Sequence, residues 1–178
     1  MAGTDVSTHQ VRLAAGAAFP AFTVPAVGGG EISPADQEGW RLVVVYRGRH
    51  CPLCKGYIGR LQALRDDFDG AGIWVTAISA DPREKAEADV AEQGWSFPVG
   101  YDLSLDQMRR LGLYVSDPIS AKETDRPFAE PGVFVINPDG AVQILDVSNA
   151  PFARPDLQAL LGGLQFVQAR GYPVRGRG

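Results

Sequence analysis

The chain has two cysteines, Cys51 and Cys54, separated only by Pro52 and Leu53 and set among basic residues in Tyr46-Arg47-Gly48-Arg49-His50-Cys51-Pro52-Leu53-Cys54-Lys55. The thiolate is the reactive form of cysteine, so what such a pair can do depends on what lowers a thiol pKa. With Pro52 as the first residue of a helix, Cys51 is its N-cap, and its sulfur faces unpaired backbone N–H groups at the positive end of the helix dipole. Arg47, Arg49, His50 and Lys55 add positive charge, which moves a thiol from ~8.5 toward the roughly 3.5–7.5 range of activated sites. Cys51 is therefore the candidate nucleophile. Cys54 follows one helical turn later on the same face and is the candidate resolving thiol. The expected cycle has Cys51 attacking a disulfide or a peroxide. Cys54 then displaces the mixed disulfide or sulfenic acid and leaves an internal disulfide.

Other uses of the pair are poorly supplied with partners. A closed zinc site needs four ligands, and beyond the two cysteines the sequence offers only His9 and His50. Covalent haem attachment needs a histidine directly after the second cysteine, where Lys55 stands. No metal and no cofactor is expected. Cysteines this close cannot staple distant parts of a secreted fold, and in a reducing compartment such a pair is redox-active or metal-binding. A non-catalytic metal carrier or redox-sensing binding module is the alternative of a different class, with His50 as the one further ligand at hand.

The elements that must position the pair are legible on either side of it. Leu42-Val43-Val44-Val45-Tyr46 is continuous, apolar and β-branched, the pattern of a central strand covered on both faces. From Pro52 the spacing turns helical, with Ile58, Leu61, Leu64 and Phe68 recurring until Asp69-Gly70. The pair thus falls where a buried strand gives way to a helix, at the carboxyl edge of the sheet, where open α/β folds place their sites. A second buried strand is expected over 73–79. Asp81-Pro82 reads as an N-cap and first helical residue of a charged, solvated helix over 83–93 that Gly94 closes. A short extended piece over 98–102 and a short helix over 104–111 follow. Residues 116–130 are expected to form the chief irregular insertion. Strands over 132–136 and 141–147 flank the turn Asn137-Pro138-Asp139-Gly140, and a last helix spans about 156–169. At the start, 18–33 reads as two short extended pieces around a glycine-rich turn. Trp40, Trp74, Trp95 and Phe134 are expected to pack in the core.

The 178 residues suit one domain, and 45% hydrophobic with 21% charged residues is a globular composition. We expect a flexible N-terminus over 1–17, a domain over 18–170 and a flexible tail over 171–178. A net charge of -4 argues against nucleic acid as a partner. The opening MAGTDVSTHQVRLAAGAAF has no basic segment leading into an apolar stretch, and no run is long enough to span a bilayer. The cytoplasm is the expected home, with no membrane partner.

Two separated motifs carry a family resemblance. Cys51-Pro52-Leu53-Cys54-Lys55 after a hydrophobic strand, and Glu130-Pro131-Gly132-Val133-Phe134-Val135-Ile136-Asn137, together look like the thioredoxin fold. Ala77-Ile78-Ser79-Ala80-Asp81, Phe97-Pro98 leading to Asp102, and Asn137-Pro138-Asp139-Gly140 resemble the peroxiredoxin-like branch, the alkyl hydroperoxide reductase and thiol-specific antioxidant (AhpC/TSA) family. The resemblance covers about 18–165. It implies a thioredoxin-like three-layer sandwich, with a mixed central β-sheet flanked by helices and an N-terminal hairpin extension. It also implies that Pro131 is a cis-proline facing the cysteine pair, a cost of only about 0.5–1 kcal/mol over trans.

The site departs from both relatives. Where peroxiredoxins resemble one another in a proline and a threonine or serine ahead of the nucleophile, this chain has Val44 and Gly48, and Pro131 falls where they carry a distant arginine. Where thioredoxins carry a buried acid near the end of the first central strand, it has Val45. His50 or Glu130 is the expected proton route to Cys54 in its place. The implied activity is thiol-disulfide exchange on a protein or small-molecule disulfide, with reduction of hydrogen peroxide or alkyl hydroperoxides as the close alternative. The implied partner is a cellular thiol reductant, and association as a homodimer is left open.

Overall fold

The computed structural model describes residues 13–177; residues 1–12, which include His9, and residue 178 lie outside the described residues. A hairpin of β1 (Val24–Pro25) and β2 (Glu31–Ile32) leads into β3 (Trp40–Val45). Then follow α1 (Pro52–Ala63), α2 (Arg65–Gly70), β4 (Ile73–Ile78), α3 (Arg83–Gln93) and β5 (Val99–Gly100). The chain continues through α4 (Leu105–Arg110), β6 (Val115–Ser116), β7 (Phe128–Ala129), β8 (Gly132–Ile136), β9 (Val142–Val147) and α5 (Leu157–Arg170).

The main sheet has the order β5-β4-β3-β8-β9. β3 runs parallel to β4, with Val45 opposite Ile78, and antiparallel to β8, with Val45 opposite Gly132. Alternation along β3 divides the core. Leu42, Val44 and Tyr46 pack with Tyr57, Ile58 and Leu61 of α1 and Leu157, Leu161 and Leu164 of α5. Val43 and Val45 face the other way, toward Phe134, Met108, Leu111, Phe19 and Phe22. Leu42, Val43, Val44 and Val45 are all fully buried, as a strand covered on both faces requires. This is the expected mixed sheet flanked by helices. Among the described residues no helix is long and apolar enough to cross a membrane.

Four local expectations are corrected. The helix over the cysteines breaks at Leu64, whose φ of -97° and ψ of 3° leave the helical region, so α1 and α2 are separate. Asp81 does not cap α3: Pro82 is the N-cap, with no side-chain cap bond, and the Asp81 carboxylate turns toward the cysteine loop instead. Helix α3 is not solvated all round, because Asp89 on it is fully buried. The segment 116–130 is tied off at its base by the antiparallel pairing of β6 with β7, Val115 opposite Ala129.

Candidate active site

Three chain segments meet at one edge of the sheet. Strands β3 and β4 end there, and the Tyr46 N–H still donates to the Ile78 carbonyl at 3.1 Å, one residue past the last paired strand position. The start of β8 lies beside them, because Gly132 is the partner of Val45. That register brings the loop 47–50 from β3, Asp81 from β4 and Glu130 from the approach to β8 to one place.

Cys51 is the N-cap of α1 with Pro52 in the first turn, as the sequence predicts. Its carbonyl accepts the N–H groups of Cys54 at 3.1 Å and Lys55 at 3.2 Å, and its own N–H donates to Gly48. Both cysteines are free thiols and both are buried, Cys51 at 3% exposure and Cys54 at 0%. The Cys54 thiol donates to the Cys51 sulfur, and this is the largest influence lowering the Cys51 pKa, to about 6; the Cys54 backbone N–H and the Arg47 guanidinium help, against burial. The same interaction, with burial, holds Cys54 far above the ordinary thiol range. Near neutral pH the Cys51 sulfur thus favours the thiolate while Cys54 keeps its proton.

Of the basic residues expected around Cys51, Arg47 acts on it, whereas Arg49 and Lys55 are engaged elsewhere. Arg47 lies 4.7 Å from the centroid of the Phe128 ring and pairs with Glu123 at 3.2 Å and Glu130 at 3.4 Å. Arg49 is bound through Nη1 to Asp89 at 2.6 Å and through Nη2 to Glu92 at 2.5 Å, and Lys55 reaches the same Asp89 oxygen at 3.3 Å. The loop 117–127 and β7 therefore supply part of the wall around the cysteines. Further salt bridges, Lys85 to Asp125 at 2.8 Å and Arg126 to Asp102 at 3.1 Å, hold that loop in place.

The cis-proline expectation is corrected. No cis peptide bond is present among the described residues, so Glu130–Pro131 is trans. The Glu130 N–H donates to the Tyr114 carbonyl at 2.8 Å, and trans is the isomer an X–Pro bond ordinarily favours. Neither residue expected to carry the proton to Cys54 is hydrogen-bonded to it directly. Glu130 accepts from Ser116 Oγ at 2.7 Å and faces Arg47. The His50 ring packs 4.6 Å from Phe128 with both nitrogens buried and without hydrogen-bond partners, and burial together with Arg47 lowers its pKa.

Sequence reasoning missed two buried carboxylates. Asp89 clamps the Cys51 loop and α1 to α3 through Arg49 and Lys55. The signal was present, because Asp89 shares the inward helical face with Ala86 and Val90. Asp81, at 2% exposure, accepts the Arg49 backbone N–H at 2.6 Å. It also fills the space beside Gly48: a Cβ there would lie 2.6 Å from Asp81 Oδ2, and Gly48 holds φ at +123°. A hydroxyl residue at position 48 is thus excluded by the carboxylate that occupies its place. Among the described residues no cluster of three or more His, Cys, Asp or Glu side chains is arranged to hold a metal ion.

The comparisons with known proteins agree with this fold. The sequence profile of the AhpC/TSA family matches residues 15–144. A candidate peroxiredoxin of Mycobacterium tuberculosis is 30% identical over 138 residues, which span 77% of this chain and 87% of that protein. Among solved structures, a cysteine mutant of the peroxiredoxin 6 of Arenicola marina superposes with a TM-score of 0.75 at 21% identity, covering 93% of this chain and 80% of that one. A peroxiredoxin-like protein from Aquifex aeolicus gives 0.74 at 14% identity, with 88% of each chain covered. The chain belongs to the AhpC/TSA family of thiol-dependent oxidoreductases, built on the thioredoxin-like fold.

Proposed function

We propose that this protein is a thiol-disulfide oxidoreductase in which Cys51 is the nucleophile and Cys54 the resolving thiol of a reversible intramolecular disulfide. The carrying observation is the pocket of the Cys51 sulfur, which receives the Cys54 thiol, the Cys54 N–H and the Arg47 guanidinium. The Cys51 thiolate attacks one sulfur of a disulfide, forms a mixed disulfide and expels the other sulfur as a thiolate. Cys54 then gives up its proton, attacks the Cys51 sulfur and releases the second thiolate. The pair has lost two electrons and the substrate has gained them. A cellular thiol reductant reverses the change, which suits the cytoplasm.

Peroxide reduction is the second reading, favoured by two observations. At 3% exposure Cys51 is poorly placed for a bulky protein disulfide, which favours a small oxidant, and Arg47 beside it can stabilise the departing alkoxide. The thiolate takes one peroxide oxygen, the alcohol leaves, and Cys54 displaces water from the sulfenic acid to give the same disulfide.

Rapid mixing of reduced protein with oxidised glutathione or hydrogen peroxide, followed by mass analysis, tests both. The expected product is one internal disulfide, blocked at a mixed disulfide or sulfenic acid in Cys54→Ser and absent in Cys51→Ser. Turnover that survives Cys51→Ser would overturn both readings, and the faster of the two oxidants chooses between them.

A further inference from the structure

Residues 117–127 form a loop whose two ends are drawn together by the pairing of Val115 with Ala129. Compact surface loops with close ends are frequently functional. Its one large apolar side chain, Ile119, is 90% exposed, so polar contacts rather than apolar burial at its tip hold it down. Lys85 reaches Asp125 at 2.8 Å and Thr124 Oγ1 at 3.1 Å, and Arg126 pairs with Asp102 at 3.1 Å.

Glu123 joins this loop to the cysteine site. Its Oε2 accepts the Ile119 N–H at 2.8 Å, which fixes the turn of the loop itself, and its Oε1 accepts Arg47 Nη2 at 3.2 Å. The 3.4 Å approach of Arg47 Nε to Glu130 lacks hydrogen-bond geometry. Glu123 is therefore the carboxylate that orients the guanidinium acting on Cys51. Where the chain returns from the loop, the Phe128 ring packs on both Arg47 and His50, the residues ahead of Cys51. The four charged side chains of the Lys85–Asp125 and Arg126–Asp102 pairs are each about a third or more exposed. Ion pairs this open contribute little and are screened by salt, whereas β3, β8 and α1 beside the site are anchored in the core. The loop is thus the part of the wall that opens at least cost.

We propose that the loop 117–127 is a lid that limits the size of the reactant reaching Cys51, seated on Arg47 by Glu123 and latched by the Lys85–Asp125 and Arg126–Asp102 pairs. This deepens the proposed function and rests on Cys51 as the nucleophile: these charges become determinants of which oxidants the pair accepts.

Two uncharged maleimides of different bulk test the lid, N-ethylmaleimide and N-(1-pyrenyl)maleimide. In both, the thiolate sulfur bonds to one alkene carbon and the other takes a proton from water. With the reduced full chain, and the labelled residue located by mass spectrometry, Asp125→Asn combined with Arg126→Gln is expected to speed the pyrenyl reaction at Cys51 about three- to tenfold more than the ethyl one. Raising sodium chloride from about 0.05 to about 0.5 M should increase the same ratio in the wild type, and increase it less in the double variant. Equal gains with both reagents, or a wild-type ratio indifferent to salt, would overturn the proposal. Hydrogen exchange separates the lid from the chemistry: amides of 119–125 should lose protection in the double variant while those of β3 and α1 keep theirs. Loss spread over all three would overturn the two pairs as a latch. If neither maleimide modifies Cys51 at neutral pH, the proposed function fails while exchange still reports on the lid.

Discussion

Cys51 owes its acidity first to Cys54 and second to Arg47, so the two can be ranked by mutation. Cys54→Ala removes the thiol donor and should raise the Cys51 pKa more than Arg47→Gln does, each by about a unit or more. The check is the pH dependence of the thiolate ultraviolet absorbance. His50→Ala should leave that pKa unchanged, because burial and Arg47 already keep the imidazole neutral near pH 7; a clear shift would show that the ring acts on the sulfur. The cysteine pair, its place at a helix start and the role of Pro52 were legible because all lie within a few residues of one another. The Arg47–Glu123 pair was not, since its members are 76 positions apart in sequence and no local pattern marks the meeting.

At the scale of elements, α3 is fastened to the loop before Cys51 and to α1 by one buried carboxylate. Asp89→Ala leaves Arg49 and Lys55 without it, but both are partly solvated. The expected loss is therefore about 2–3 kcal/mol, below the usual cost of breaking a fully buried pair, measured by urea unfolding. Gly48→Ala should lose a comparable amount and slow Cys51, because the new methyl meets the Asp81 carboxylate at a positive φ. Adding Asp81→Gly should recover part of the rate. The long strands and helices were visible through their periods. The strands of the β6–β7 pair were not, because each has two residues, too few for alternation to show. The break at Leu64 was invisible for a different reason, since neither glycine nor proline marks it.

Over the whole molecule, the redox pair is coupled to stability. The folded protein lowers the Cys51 pKa from the ordinary thiol range to about 6, so the thiolate stabilises the fold in full above that range, and the contribution is lost as pH falls from about 9 to about 6. Cys54, raised by folding, has the opposite sign and costs stability as pH rises past 9. The difference in unfolding free energy between the reduced wild type and Cys51→Ser should therefore grow between pH 6 and pH 9. A flat difference would mean that the fold does not favour the thiolate.

The central claim is that Cys51, and not Cys54, is the acidic thiol at neutral pH. Alkylation of the reduced protein by a limiting amount of iodoacetamide across a pH series, with the labelled residue located by mass spectrometry, tests it directly. The expected result is label on Cys51 with a midpoint near pH 6. Label on Cys54, or a midpoint in the ordinary thiol range near 8.5, would contradict it.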